Sequence, residues 1–219
     1  MDKSKFDKIK VIIFDFDETM YTSSTIKEYY VKYIKQTLTD LTSLSEKEIL
    51  TLMEKYGFMS SGKERISFGK NCEKFGVTKE QWNNYRIDNF FQIDYKNAVT
   101  SSNEVYEKLS KLKKLFIVSN EVKENLVYKA KMMNIDLKPF TIYAPLKKDV
   151  LTYKSNKEDC YKKIIEECQV SPDEVLVVGD RYNVDILPLE NLGGHGILIN
   201  NAKQIEDIFK ENVLWKICN

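Results

Sequence analysis

Four short apolar runs punctuate the chain, each ended by a polar residue or a glycine: Val11 to Phe14 before Asp15, Leu115 to Val118 before Ser119, Val175 to Val178 before Gly179 and Asp180, and Ile197 to Ile199 before Asn200. Runs this short, rich in Val and Ile and without alternation, predict strands buried on both faces, as in a parallel sheet. Thr141 to Ala144 supplies a weaker fifth candidate. Helical patterns separate these runs at Ser101–Lys113, Val122–Met133, Asn156–Cys168 and Ala202–Lys210. Strand alternating with helix predicts a doubly wound α/β domain.

Between the first and second runs lie 78 positions, 20–97, with no convincing strand. Thr25–Leu38, Ser45–Tyr56, Gly62–Phe75 and Thr78–Phe91 read instead as amphipathic helices, and Ser45-Glu46-Lys47-Glu48 has the form of a capping box. A crossover between parallel strands needs far fewer residues. The expectation is an α/β core domain of residues 1–19 and 98–219 interrupted by a helical domain of residues 20–97; the plainer alternative is an elaborated helical layer on one face of the sheet.

Composition narrows the function classes. With 34 Lys plus Arg against 33 Asp plus Glu among 219 residues, the net charge of +1 argues against a nucleic-acid polymer or a membrane surface as partner, since both are usually met by a basic excess. A hydrophobic share of 42% is enough for a sizeable core. No apolar run exceeds four residues, too short for a membrane span or a secretory signal, so the expected location is the cytoplasm. Cys72, Cys160, Cys168 and Cys218 form no C-x-x-C pair and read as reduced, mostly buried thiols.

Ligands of open α/β sheets bind outside the carboxyl ends of the strands. Here the strands end in Asp15 with Asp17, in Ser119-Asn120, and in Asp180 with Asp185, so three strands deliver oxygen groups to one edge. A single such Asp is more often a turn former or helix cap. Several at once repel one another unless a cation sits among them, and oxygen ligands of this kind suit Mg²⁺.

The segment Phe14-Asp15-Phe16-Asp17-Glu18-Thr19, followed in order by Ser119, Lys154 and Gly179-Asp180 with Asp185, resembles the haloacid dehalogenase-like (HAD) superfamily of Asp-nucleophile phosphatases. The resemblance runs from about residue 9 to 200 and implies a Rossmann-like core with a helical cap inserted after the first strand. It implies that Asp15 is the nucleophile that becomes an aspartyl phosphate and that Asp17 is the general acid and then base. Ser119 would hydrogen-bond the transferring group, and Lys154 would offset charge. Mg²⁺ would be held by Asp15, the main-chain carbonyl of Asp17 and Asp180, with Asp185 in support. Two positions depart from the pattern. Lys154 is followed by Ser155 where proline is usual, leaving Lys147, Lys148 and Lys157 as competitors, and Asp180 is followed by Arg181, bulkier than the usual residue. The basic connection of residues 144–153 has no physical account.

A closer resemblance, to the pyrimidine 5′-nucleotidase branch, rests on the D-x-D-x-x-x-Y-x-S-S start formed by Asp15, Asp17, Tyr21, Ser23 and Ser24, and on Tyr56-Gly57 with Gly62. It implies a small phosphorylated metabolite as substrate, a nucleoside 5′-monophosphate first; the expected state is a monomer or weak homo-oligomer. Lys63 and Arg65, after the loop glycine, could bind substrate along with Ser119 and Asn120, although a solvated helix face is the simpler reading. The aromatic residues Tyr29, Tyr30, Tyr33, Phe58, Trp82, Phe90 and Phe91 could stack a base, but most should serve helix packing. His195, the sole histidine, reads as structural. The alternatives are a phosphatase or phosphomutase acting on sugar phosphates, a dehalogenase, which Asp17 argues against, and a receiver domain, whose acceptor Asp comes from a middle strand.

Overall fold

The structure, a computed structural model, describes residues 3–57, 68–88, 95, 98–146 and 156–209. The chain divides into two compact units, one of Met1–Thr22 and Tyr95–Asn219 and a second of Ser23–Asp94. The helices in chain order are α1 (Lys3–Lys8), α2 (Ser24–Leu41), α3 (Glu46–Lys55), α4 (Phe68–Asn71), α5 (Lys79–Asp88), α6 (Asn103–Ser110), α7 (Lys123–Met132), α8 (Lys157–Cys168), α9 (Leu187–Glu190) and α10 (203–209). Among the described residues no helix is long and apolar enough to cross a membrane.

The first unit is built on strands β1 (Val11–Phe14), β4 (Lys114–Val118), β5 (Phe140–Tyr143), β6 (Val175–Gly179) and β7 (His195–Leu198), hydrogen-bonded in the order β5-β4-β1-β6-β7. Every pairing in this sheet is parallel, with Val11 opposite Lys114 on one side and Val175 on the other. Successive side chains of β1 go to opposite faces. Val11 and Ile13 join Cys160, Tyr161 and Ile164 of α8 and Leu189 of α9 in one core. On the other face Phe14 meets the rings of Tyr106 from α6, Phe140 and Phe209 from α10 at 5.3, 5.9 and 6.1 Å. All four β1 residues are fully buried, which explains why the run carries no polar alternation. This is the expected doubly wound α/β sheet with helices on both faces.

Two details differ from expectation. The stretch 20–97 opens with a strand after all: β2 (Tyr21–Thr22) pairs antiparallel with β3 (Val99–Thr100), each too short to leave a periodic signal. The last strand starts at His195, two residues before the apolar run, because Gly196 lets Ile186 approach to where a Cβ would lie 2.1 Å from its Cγ2. The pairing puts His195 opposite Leu176, toward the amino end of the sheet and away from the strand ends that carry Asp15 and Asp180.

The second unit has its own core, in which Ile34 and Leu38 of α2 meet Ile49 and Met53 of α3, Phe68, Cys72, Phe75 and Trp82. Helix α3 starts at the expected capping box, with Ser45 accepting from the Glu48 amide and Glu48 from that of Ser45. Tyr33 and Trp82 pack at 5.6 Å and Phe68 and Trp82 at 4.8 Å, so these rings serve helix packing. Phe58, Phe90, Phe91 and the loop after Gly57 lie outside the described residues. Cys72 and Cys160 are buried free thiols, and Cys168 is a half-buried one.

Candidate active site

The site is assembled at the carboxyl ends of β1, β4 and β6, where the strand order reverses direction about β1. Directly after β1 the chain turns sharply: Glu18 takes a left-handed φ of 60°, and the amides of Thr19 and Met20 both donate to the Phe16 carbonyl, at 3.4 and 3.1 Å. That conformation is uncommon for a residue other than glycine. It folds Thr19 back so that its hydroxyl donates to Asp15 Oδ2 at 3.3 Å. Asp15 is 3% exposed, and its Oδ1 receives Lys157 Nζ at 2.5 Å. Burial, opposed by Lys157 and reinforced by Asp185, pushes the Asp15 carboxyl up to about 6.

Lys157 is the first residue of α8, fixed there by a capping box between Asn156 and Asp159. A cation in the first turn is disfavoured by the helix dipole, and burial also works against its charge. The carboxylates of Asp15 and Asp185, at 2.5 and 2.7 Å, outweigh both effects and hold Lys157 well above the usual lysine range. One turn on, Tyr161 donates from its hydroxyl to the Asp185 carbonyl at 2.9 Å, so a single helix face grips Asp185 twice.

Asp185 sits in a π-helical turn, Tyr182–Ile186, that follows β6. Its Oδ2 accepts from the Arg181 amide at 2.9 Å, and the residue is wholly buried. Gly179 makes this possible, since a Cβ there would lie 2.4 Å from that of Asp185. Asp180 is different. Its Oδ1 is buried without a hydrogen bond, with Arg181 Nε no nearer than 3.8 Å. Burial and the charge of Asp15 push Asp180 up to about 8 in spite of Arg181.

Asp15, Asp180 and Asp185 each offer one carboxylate oxygen, all within 4.8 Å of one another. These residues fit a hard divalent cation. The donor set is all oxygen, Asp180 has an orphaned buried atom that such an ion would satisfy, and crowded carboxylates rise in pKa when no cation separates them. Asp185 already accepts one hydrogen bond on each oxygen, which suits a supporting ligand better than a principal one.

Asp17 is bound apart from this cluster. Its Oδ1 accepts from the Tyr21 hydroxyl and from Lys129 Nζ at 2.8 Å. Burial acts to raise the carboxyl, but Lys129 and Tyr21 together hold it below the ordinary aspartate value. Lys129, on α7, also reaches Glu121 Oε2 at 2.7 Å. Ser119 is buried at the end of β4, where its Oγ accepts from the Glu121 amide at 3.1 Å and its own proton is left to donate.

Asp15, Asp17, Ser119, Asp180 and Asp185 thus all lie on the strand ends or turns expected of them, and Asn120, after Ser119, is exposed. Lys63, Arg65 and Lys154 lie outside the described residues. The described lysine that pairs with Asp15 is Lys157, one of the three competitors and three residues past Lys154. The sequence reading passes over Lys129 and Glu121, and takes Tyr21 only as part of the closer resemblance, not as a partner of Asp17. A signal for Lys129 exists: Val122, Leu126, Lys129, Ala130 and Met133 follow helical spacing, and all five are buried, so the lysine interrupts an apolar stripe.

A family model of haloacid dehalogenase-like hydrolases matches residues 9–193. The chain belongs to this family. Among solved structures, a HAD phosphatase from Thermococcus onnurineus is similar at a TM-score of 0.55 and 18% identity, over 88% of this chain and 86% of that one. A predicted phosphoglycolate phosphatase from Haemophilus somnus gives 0.54 and 18%, over 97% and 99%. A structure of YfnB from Bacillus subtilis, described as bound to magnesium, gives 0.52 and 12%, over 92% and 99%. At these identities the likeness is one of fold. A comparison with curated proteins gives no match. This HAD-like hydrolase should tolerate Gly179→Ala poorly: with Asp185 immobile, overpacking of about 1–3 kcal/mol lowers the thermal midpoint by roughly 2–12 °C, readable by calorimetry.

Proposed function

We propose that this HAD-like hydrolase is a Mg²⁺-dependent phosphatase that hydrolyses a small phosphomonoester through an aspartyl-phosphate intermediate. The observation that carries this reading is Asp15, buried at the end of the central strand, paired with Lys157 and next to an Asp180 oxygen that has no hydrogen bond. Mg²⁺ would be held by Asp15, Asp180 and the Asp17 carbonyl with Asp185 in support, and when bound it supplies charge neutralisation for the phosphoryl oxygens.

An Asp15 carboxylate oxygen attacks phosphorus, and the bond to the leaving oxygen breaks. That oxygen takes a proton through Asp17, whose carboxyl, held below the ordinary value in the free protein, gains it when the dianionic phosphoryl group binds alongside. Asp17, now a carboxylate, removes a proton from water, whose oxygen attacks phosphorus and releases inorganic phosphate and a free Asp15. The Ser119 hydroxyl donates to a phosphoryl oxygen. Lys157, rather than Lys154, offsets the charge of the nucleophile. In this scheme residues 20–97 act as a cap that excludes water and selects the substrate, with Lys63 and Arg65 as candidate contacts and Asn120 beside Ser119.

The proposed substrate is a nucleoside 5′-monophosphate, pyrimidine first, supported by the resemblance at Asp15–Ser24 and at Tyr56-Gly57 with Gly62. Phosphatase rather than phosphomutase is proposed, with support from two similar structures described as a HAD phosphatase and a predicted phosphoglycolate phosphatase. The protein is proposed to act in the cytoplasm, as a monomer or weak homo-oligomer.

Three outcomes are expected. Phosphate release should need Mg²⁺, stop with a chelator, and fall by more than about 10³-fold in Asp15→Asn; activity surviving in that variant removes the nucleophile assignment. Lys157→Met should cost roughly 100-fold in kcat, by the loss of one preorganised charge, while Lys154→Met changes it little; the reverse order would return the role to Lys154. Across a phosphoester panel, pyrimidine monophosphates should show a higher kcat/KM than hexose or triose phosphates, and a panel led by sugar phosphates overturns the substrate and leaves the Asp15 mechanism standing.

A further inference from the structure

We infer that Lys129 is a positioning residue, which fixes the orientation of Asp17 and ties it to the Ser119 loop; this rests on the reading of Asp17 as the acid and base. The two oxygens of Asp17 are treated unequally. Oδ1 takes both the Tyr21 hydroxyl and the Lys129 ammonium, while Oδ2 has no hydrogen-bond partner among the described residues. A carboxylate held by one oxygen cannot swing freely, so Oδ2 is the atom left to serve a leaving group or a water.

The anchor for that hold is itself anchored. The Lys129 side chain is 8% exposed and shared with Glu121 at 2.7 Å. Glu121 is pinned through Oε1, which accepts from the Val122 amide at 2.8 Å and from Asn125 Nδ2 at 3.3 Å, and its own amide donates to Ser119 Oγ at 3.1 Å. A continuous chain of contacts therefore runs from Ser119 through Glu121 and Lys129 to Asp17 and Tyr21. It links the turn after β1 to the loop after β4, the two segments whose side chains must meet one phosphoryl group from different directions. An apolar residue at position 129 would complete the stripe of α7 at lower desolvation cost. A lysine there is accounted for by what it holds in place. Reacting groups displaced by an ångström lose large factors in rate, so the hold has a kinetic consequence.

Lys129→Met tests the inference in two ways. The first needs no activity: a crystal structure of the variant should show the Asp17 carboxylate turned from its single orientation. The second is rapid quench with p-nitrophenyl phosphate, whose leaving group needs no proton. Asp15 should still be phosphorylated in a burst, while the following turnover, which requires Asp17 as base, slows roughly ten- to hundredfold with KM little changed. Since Lys129→Met leaves Glu121 without its cation, Lys129→Met/Glu121→Gln removes that unpaired charge and carries the same expectation. Tyr21→Phe, which uncovers no charge, should give a smaller effect of the same kind. Asp17 unmoved in these variants overturns the inference, as does a turned Asp17 with turnover unchanged, or burst and turnover falling equally. If the wild type fails to hydrolyse any phosphoester, the phosphatase reading falls, and the crystal structures alone decide whether Lys129 orients Asp17.

Discussion

Three carboxylates with oxygens inside 4.8 Å set the terms for everything around them. Burial first, and then the charge of the neighbouring carboxylates, pushes Asp15 and Asp180 up. Lys157 bridges two of the three from the first turn of α8, and that lysine, the capping box that holds it and Tyr161 one turn later are consequences of the same requirement. The third carboxylate, Asp180, keeps an oxygen that no described group satisfies. This all-oxygen set is therefore one that a hard divalent cation would complete.

The two lysines buried among the described residues divide four of the site's carboxylates between them. Lys157 serves Asp15 and Asp185, and Lys129 serves Asp17 and Glu121. Asp15 and Asp17, two residues apart, are pushed in opposite directions, Asp15 upward and Asp17 downward. The left-handed turn at Glu18 sends the chain back through Thr19 to Asp15 and on to Tyr21, whose hydroxyl meets Asp17. Backbone geometry and charge pairing thus separate two identical side chains into distinct surroundings.

Much of this was legible in the sequence, for a physical reason. Strands buried on both faces must be apolar throughout, so each ends abruptly, and the residues at the break are the ones a parallel sheet presents to a ligand. Asp15, Ser119 and Asp180 could be read that way. Asp185 was legible only through the resemblance, as the second acid after Gly179-Asp180; the structure adds why a glycine stands there, since a Cβ at Gly179 would lie 2.4 Å from that of Asp185. Lysines were harder, since most are solvated: spacing favoured Lys154, whereas among the described residues it is Lys157 that meets Asp15. The capping pattern Asn156 to Asp159 puts Lys157 on a helix whose buried face also carries Cys160, Tyr161 and Ile164. Lys129 was hidden by its chemistry, a charge in an apolar stripe whose partners are remote in sequence, Asp17 being 112 positions away. The ribbon of β2 and β3 escaped because two residues have no period.

The position of β1 in the sheet also governs how the molecule can come into being. Its neighbours are β4 and β6, which follow it in the chain by about a hundred and more than a hundred and sixty residues. A nascent chain emerging from the ribosome therefore carries Val11–Phe14 with both edges unpaired until β4 has been made, and with one edge unpaired until β6 has. Residues 23–94, with a core of their own, can condense in the meantime, since contiguous units generally fold first during synthesis. Closing such distant strand pairs is entropically slow, so the segment that carries Asp15 is among the last to acquire its final surroundings and, until then, an exposed apolar strand open to chaperones or to other chains.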